Sequence, residues 1–253
     1  MKFKGQYIWI VGASTGIGRA LALELAEQGA ILAISARRKE LLEDLLSELD
    51  GQGHIAVCID AGDYQSVVSG FNEICAAFPK FDRSIFMAAK YGAHDGKPKD
   101  IEFIHEMLKV NIGGAFHMLD VLVPKYKEQG FGQIAICASV AGYRGMPTGQ
   151  PYCATKAALI SLSESMKLDL EPYNIDVKVI NPGFVRTPLT DKNDFKMPMI
   201  IDASVAAKAL AKGLLSGAFE INFPKRFAYL MKTIRLLPNF MFFPLMRLLS
   251  KNR

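Results

Sequence analysis

The chain has 253 residues, half of them hydrophobic, enough for one large α/β domain or two small ones with a sizeable core. Its 30 Lys and Arg against 25 Asp and Glu leave a modest net charge of +5, spread along the chain except near its end. No basic-aromatic pattern accompanies that charge, which argues against a nucleic-acid reader.

The chain opens MKFKGQYIWIVGAS. It lacks a long apolar region with a separate cleavage site, so YIWIV (7–11) reads as a first strand and not as part of a signal peptide. A helical pattern follows over 16–28, a strand over 31–35 and a helix over 39–49. Next come a strand at 54–59, a helix at 64–78 stopped by Pro79, and a strand at 84–89. A long helical stretch runs from about Ile101 to Tyr126 with a break near Asn111. Strands at 133–139, 176–180 and 219–223 complete the pattern, with a helix from Tyr152 to Leu170 between the first two.

Strand and helix alternating in this way imply a parallel sheet covered on both faces, and nearly continuous apolar strands agree. No linker or short-period repeat divides the chain, so one doubly wound α/β domain is expected. Cys58, Cys75, Cys137 and Cys153 form no CxxC pair, and no His/Cys cluster has metal-ligand spacing, so no metal site is expected. The thiols read as reduced core residues of a cytoplasmic protein. The histidines at 54, 94, 105 and 117 are scattered and read as structural or exposed.

Between the first strand and the first helix lies VGASTGIGRA, with Gly12, Gly16 and Gly18. Glycines allow a tight turn and a close approach of a pyrophosphate to the backbone, and the helix N-terminus offers its N–H groups. A lone glycine pattern is weak, but its place after a strand and before a helix is the context a dinucleotide site requires. An acidic residue at the end of the second strand would bind a ribose 2′-hydroxyl. The chain instead reads Ala36-Arg37-Arg38, whose guanidinium groups suit a 2′-phosphate, so NADP(H) is expected over NAD(H).

Tyr152 stands four residues before Lys156 in PYCATKAALISLSESMKLDL, so on a helix the two share one face. A lysine held beside a tyrosine favours the phenolate, one way to make an acid/base from a group whose free pKa is about 10.

The set GASTGIG (12–18), Asp60, VNIGG (110–114), SVAG (139–142), YCATK (152–156) and NPGFVRT (181–187) resembles the short-chain dehydrogenase/reductase family over about residues 6–190. The 13-residue spacing from Ser139 to Tyr152 fits that family. The resemblance implies a single Rossmann-type domain with a mostly parallel seven-stranded sheet and helices on both faces. It implies Tyr152 as general acid/base, Lys156 as the group that lowers the Tyr152 pKa and holds the nicotinamide ribose, and Ser139 as the group on the substrate carbonyl. Asn111 would kink its helix and hold a water that relays protons to Lys156. The cofactor would touch Gly12, Ser14, Thr15, Gly16, Ile17 and Gly18, with Asp60 on the adenine and Ala88 from the fourth strand. Pro182, Gly183 and Thr187 would border the nicotinamide. The family usually carries Asn-Asn-Ala-Gly at the end of strand four, whereas this chain has Phe86-Met87-Ala88-Ala89. The family also forms dimers or tetramers, and Ala154, Ala157, Ala158 and Ser161 offer a small-residue face for one.

The resemblance places a substrate lid at about 188–217, where Phe195, Met197, Met199 and Ile200 suit an apolar carbonyl or secondary alcohol. Residues 1–223 then form the catalytic domain and 224–253 an extension rich in Leu, Phe and Met, with Lys and Arg but no acid after Glu220. Three readings of the extension compete: a contact with an anionic membrane surface, a cap on the substrate pocket, and packing on a second subunit. The sequence thus points to an NADP(H)-dependent oxidoreductase. Its rivals are a non-catalytic NADP-binding regulator and a membrane-surface protein on the same fold.

Overall fold

In a computed structural model, residues 1–92, 100–193, 195 and 197–251 are described. His94, and Asp194 and Lys196 of the expected lid, lie outside them. The elements run β1 (Tyr7–Val11), α1 (Gly16–Glu27), β2 (Ile31–Ala36), α2 (Lys39–Glu48), β3 (Ile55–Cys58), α3 (Tyr64–Ala77) and β4 (Arg83–Phe86). Then come α4 (Ile101–Leu108), a π turn (Lys109–Gly113), α5 (Gly114–Gln129), β5 (Gly132–Cys137), α6 (Tyr152–Leu170) and β6 (Ile175–Pro182). A short pair, β7 (Val185–Arg186) and β8 (Ile201–Asp202), precedes α7 (Ala203–Leu214), β9 (Glu220–Phe223), α8 (Lys225–Leu236) and α9 (Asn239–Lys251).

Seven strands pair in the order β3-β2-β1-β4-β5-β6-β9, every pair parallel. The order reverses direction between β1 and β4, which opens a crevice at the carboxyl ends of the strands. Alternate residues of each strand serve opposite layers. Ile8 and Ile10 pack with α1, α2 and α7. Trp9 and Val11 pack in the layer of α3, α5, α6 and α8. Trp9 is fully buried, and its indole N–H donates to Ser35 Oγ at 3.0 Å, so the ring is buried without an orphaned donor.

Local chemistry sets several boundaries. Asp63 caps α3 by accepting from the N–H groups of Gln65 and Ser66. Gly130, in the left-handed region at φ 75°, ends α5, which therefore runs beyond the expected Tyr126 and through Pro124. The break near Asn111 is the π turn. β4 stops at Phe86 and not Ala89: Met87 N–H still bonds to Val11 C=O at 2.7 Å, and the chain then crosses tightly over Gly12. Lys178 sits wholly buried in β6, where its ammonium donates to the carbonyls of Ser216 (2.6 Å) and Ala218 (2.8 Å) and pairs with Asp176 at 3.2 Å. A buried charge is tolerated only with such partners.

The expectation of core thiols changes, and the lid and the extension gain detail. The four thiols are free, but only Cys137 and Cys153 are buried; Cys58 is exposed because its side chain leaves the end of edge strand β3, and Cys75 is half-buried. The second half of the expected lid is α7, whose Ala206, Leu210 and Leu214 are buried in the α1 layer. The extension is two helices. Phe227, Ala228 and Met231 of α8 enter the core, because they recur on one helical face.

Candidate active site

The crevice holds a cavity of about 380 Å³. Every candidate residue except Asn111 lines it, although they come from seven separated stretches of chain.

The glycine turn forms one wall. Gly12 lies at φ 95°, and a Cβ there would stand 2.5 Å from the backbone N of Ala88. A Cβ at Gly18 would stand 2.2 Å from the Gly12 carbonyl oxygen. Side chains are excluded, so backbone forms the surface, and among the described residues no side chain caps α1. Its first N–H groups and positive dipole end remain for an anion. These features fit a pyrophosphate. Arg37 and Arg38 lie at the rim, and Arg38 Nη2 donates to Ser14 Oγ at 3.2 Å, which holds the guanidinium over the turn. Asp60 Oδ1 accepts from Gly62 N–H at 2.9 Å, which fixes the loop after β3.

Ser139, Tyr152 and Lys156 form the opposite wall. Ser139 follows β5; its hydroxyl accepts from Ala141 N–H (3.1 Å) and donates to Pro182 C=O (3.3 Å). Tyr152 opens α6, with the Tyr91 ring edge-on at 4.9 Å. Lys156 lies one turn on and is 1 % exposed. Its ammonium donates to Cys137 C=O at 2.8 Å and stands 5.5 Å from the Tyr152 ring centre.

The expected lowering of the Tyr152 pKa is not what this arrangement gives. Burial pushes the phenol up, the Cys137 thiol adds to the rise, and a hydrogen bond with Ser139 opposes it. Burial also pushes Lys156 down. Desolvation thus disfavours the charged form of both groups, and the Lys156 ammonium donates to a carbonyl.

Asn111 lies in the π turn, which is the expected kink of its helix. It is fully buried behind the wall. Its amide donates to Lys90 C=O (3.0 Å) and Thr155 Oγ1 (3.1 Å), and its Oδ1 accepts from Lys90 N–H (2.6 Å). Its amide hydrogens are thus committed to bracing the chain after β4 against α6. With asparagines missing from strand four, this brace holds that segment.

Pro182, Gly183 and Thr187 close the cavity beyond β6. A Cβ at Gly183 would come within 2.7 Å of the Phe227 ring, so that glycine also admits α8. No local pattern marked Tyr91, Met146 or Asn193 for the wall. Phe227 and Met231 also line it, and their four-residue spacing was a readable signal for one helix face.

A parallel sheet with a side-chain-free phosphate turn, facing a Ser-Tyr-Lys set across one cavity, defines the class of dinucleotide-binding oxidoreductases. Residues 6–197 match the family model described as short chain dehydrogenase, and the chain belongs to that family. An uncharacterized oxidoreductase of Myxococcus xanthus is 30% identical over 235 residues, covering 92% of this chain and 93% of that one. An 11-beta-hydroxysteroid dehydrogenase-like protein of Arabidopsis thaliana (4A) is 27% identical over 227 residues, 85% of this chain and 75% of that one. The crystal structure of an NAD+-bound xylitol dehydrogenase superposes with a TM-score of 0.79 at 26% identity, covering 88% of this chain and 99% of that one.

Proposed function

We propose that this oxidoreductase is NADP(H)-dependent and reduces an apolar carbonyl, or oxidises the matching secondary alcohol. The observation that carries the reading is the convergence of Ser139, Tyr152 and Lys156 on the cavity that the glycine turn walls. The nicotinamide, when bound, supplies or accepts the hydride. Ser139 hydrogen-bonds the substrate oxygen and stabilises its developing charge. Tyr152, held protonated by its burial, gives that oxygen a proton during reduction. Lys156 holds ribose hydroxyls, and Asn111 positions α6 beneath both. Relatives are not uniform in cofactor, since the solved xylitol dehydrogenase holds NAD+. Support for NADP(H) here is the absence of a carboxylate at Ala36 and the Arg38 guanidinium fixed over Ser14.

Support for an apolar substrate is the wall of Met146, Phe184, Phe195, Phe227 and Met231. The Arabidopsis relative is named for a hydroxysteroid, itself an apolar alcohol. In this reading residues 1–223 bind cofactor and catalyse, the lid segment begins near Pro188, and α8 closes the pocket. A second copy packs on the outer faces of α5 and α6, where Phe116 on α5 and Ala154, Ala157 and Leu168 on α6 are exposed.

The test is NADPH consumption by the purified protein across aldehydes, ketones and quinones. Turnover that Tyr152→Phe abolishes supports the reading. NADPH binding with no turnover of any carbonyl, including lipid-like ones, favours a regulator instead. Equal affinity for NADH and NADPH, unchanged in Arg37→Ala and Arg38→Ala, would remove the cofactor assignment.

A further inference from the structure

The inner faces of α8 and α9 account for their attachment. Phe227, Ala228 and Met231 of α8, and Phe242 and Met246 of α9, are buried. Arg144 clamps the junction: it donates to the carbonyls of Ile234, Arg235 and Leu237 and to Asn239 Oδ1, and its guanidinium lies 3.7 Å from the Phe242 ring centre. The outer face has no such explanation. Leu236 is 83% exposed, Phe240 77%, Leu248 62%, Tyr229 59% and Phe243 52%. On α9, Phe240, Met241, Phe243 and Leu248 fall within one arc of the helix, so they form a stripe and not scattered points.

Charge selects what covers this face. From 221 to 253 the chain has seven cations, Lys225, Arg226, Lys232, Arg235, Arg247, Lys251 and Arg253, and no Asp or Glu. Lys232 is paired with Glu220, while Lys225, Arg226 and Arg235 are exposed. In a two-fold contact the same patch meets itself, so a second copy would set cations on cations. An anionic surface with an apolar interior complements both features. Among the described residues no helix is long and apolar enough to cross a membrane, so the contact lies in the interface plane.

We propose that the outer face of α8 and α9 docks on an anionic lipid bilayer, with Phe240 and Phe243 entering the acyl boundary and Lys225 and Arg226 facing headgroup phosphates. The helix laid on the lipid is then the one whose inner face walls the cavity with Phe227 and Met231. The docking stands independently of the cofactor and substrate readings.

Flotation of the full chain with phosphatidylcholine vesicles, with and without phosphatidylglycerol, tests this. Partitioning is expected to be at least about tenfold stronger on the anionic vesicles and to weaken with salt. Lys225→Glu with Arg226→Glu, and separately Phe240→Ser with Phe243→Ser, are each expected to lose about tenfold or more with unchanged thermal unfolding. The charge reversal keeps the test decisive if the serine variant folds poorly. No flotation, or equal flotation of the charge-reversed chain, overturns the proposal. So does a lipid-free dimer that the serine variant dissolves, which would make a second copy the occupant.

Discussion

The two walls of the cavity are built from different materials. The glycine-turn wall is backbone: Gly12 and Gly18 have no room for a Cβ, and among the described residues no side chain caps the start of α1. The wall formed by α8 is side chains, Phe227 and Met231, held through Arg144 and through Glu220, which accepts from Lys232, Tyr143 and Asn181. A backbone wall cannot change without moving two strands. A side-chain wall can be retuned residue by residue, which suits cofactor binding to the first and substrate choice to the second.

The sharpest test of the chemistry between these walls is Tyr152→Phe. It is expected to lower turnover about 10³-fold or more while NADPH affinity stays within about threefold, read by steady-state rates and fluorescence titration. Loss of binding instead would mean that the phenol is mainly structural.

Next in size is Gly12→Ala, which strikes the backbone wall. The Cβ meets Ala88 at 2.5 Å and the residue sits at positive φ. Strain and overpacking together are expected to cost about 2–4 kcal/mol in urea unfolding, with cofactor affinity falling in parallel. An unchanged midpoint would show that the walls do not differ as described.

Arg144→Ala strikes the side-chain wall. Removing a charged donor from three carbonyls and Asn239 is expected to cost about 1–3 kcal/mol. Limited trypsin digestion should then cut first at Lys232 or Arg235, with KM rising more than kcat falls. Cleavage elsewhere would place the weak point outside α8.

The smallest effect is pH-dependent. Burial raises the Glu220 pKa, but its bonds to Lys232, Tyr143 and Asn181 outweigh that and hold it below the usual 4.5. A depressed carboxylate stabilises the fold fully above its ordinary value, and that contribution is lost as pH falls through the depressed one. Protease sensitivity of α8 should therefore rise below about pH 4.5 in the wild type and less so in Glu220→Gln. Identical profiles would remove Glu220 from the attachment.

Legibility in the sequence followed the same division. Strand and helix alternation predicted six of the seven sheet strands, with loose boundaries at β4, β5 and β6, and the glycine spacing located the tight turn before α1. Those features are local: periodicity, a turn and a helix start are written in consecutive residues. Tyr152 and Lys156 were legible too, since residues four apart share a helix face. FEINF predicted the seventh strand, but nothing nearby showed that α7 would lie between it and β6.

What the consecutive residues left open is long-range. Asn111 bracing Lys90 across 21 positions, Arg144 clamping α8 across about 90, and Phe227 meeting Gly183 are pairings between distant segments. Burial is likewise set by the assembled layers, and it is burial that pushes Tyr152 up and Lys156 down. The sequence by itself determined the doubly wound class, the glycine turn and the residue types of the candidate site. Only the tertiary structure decided the burial of Lys156, its partner and the helix that walls the pocket, because desolvation and side-chain contact depend on segments that the chain order keeps far apart.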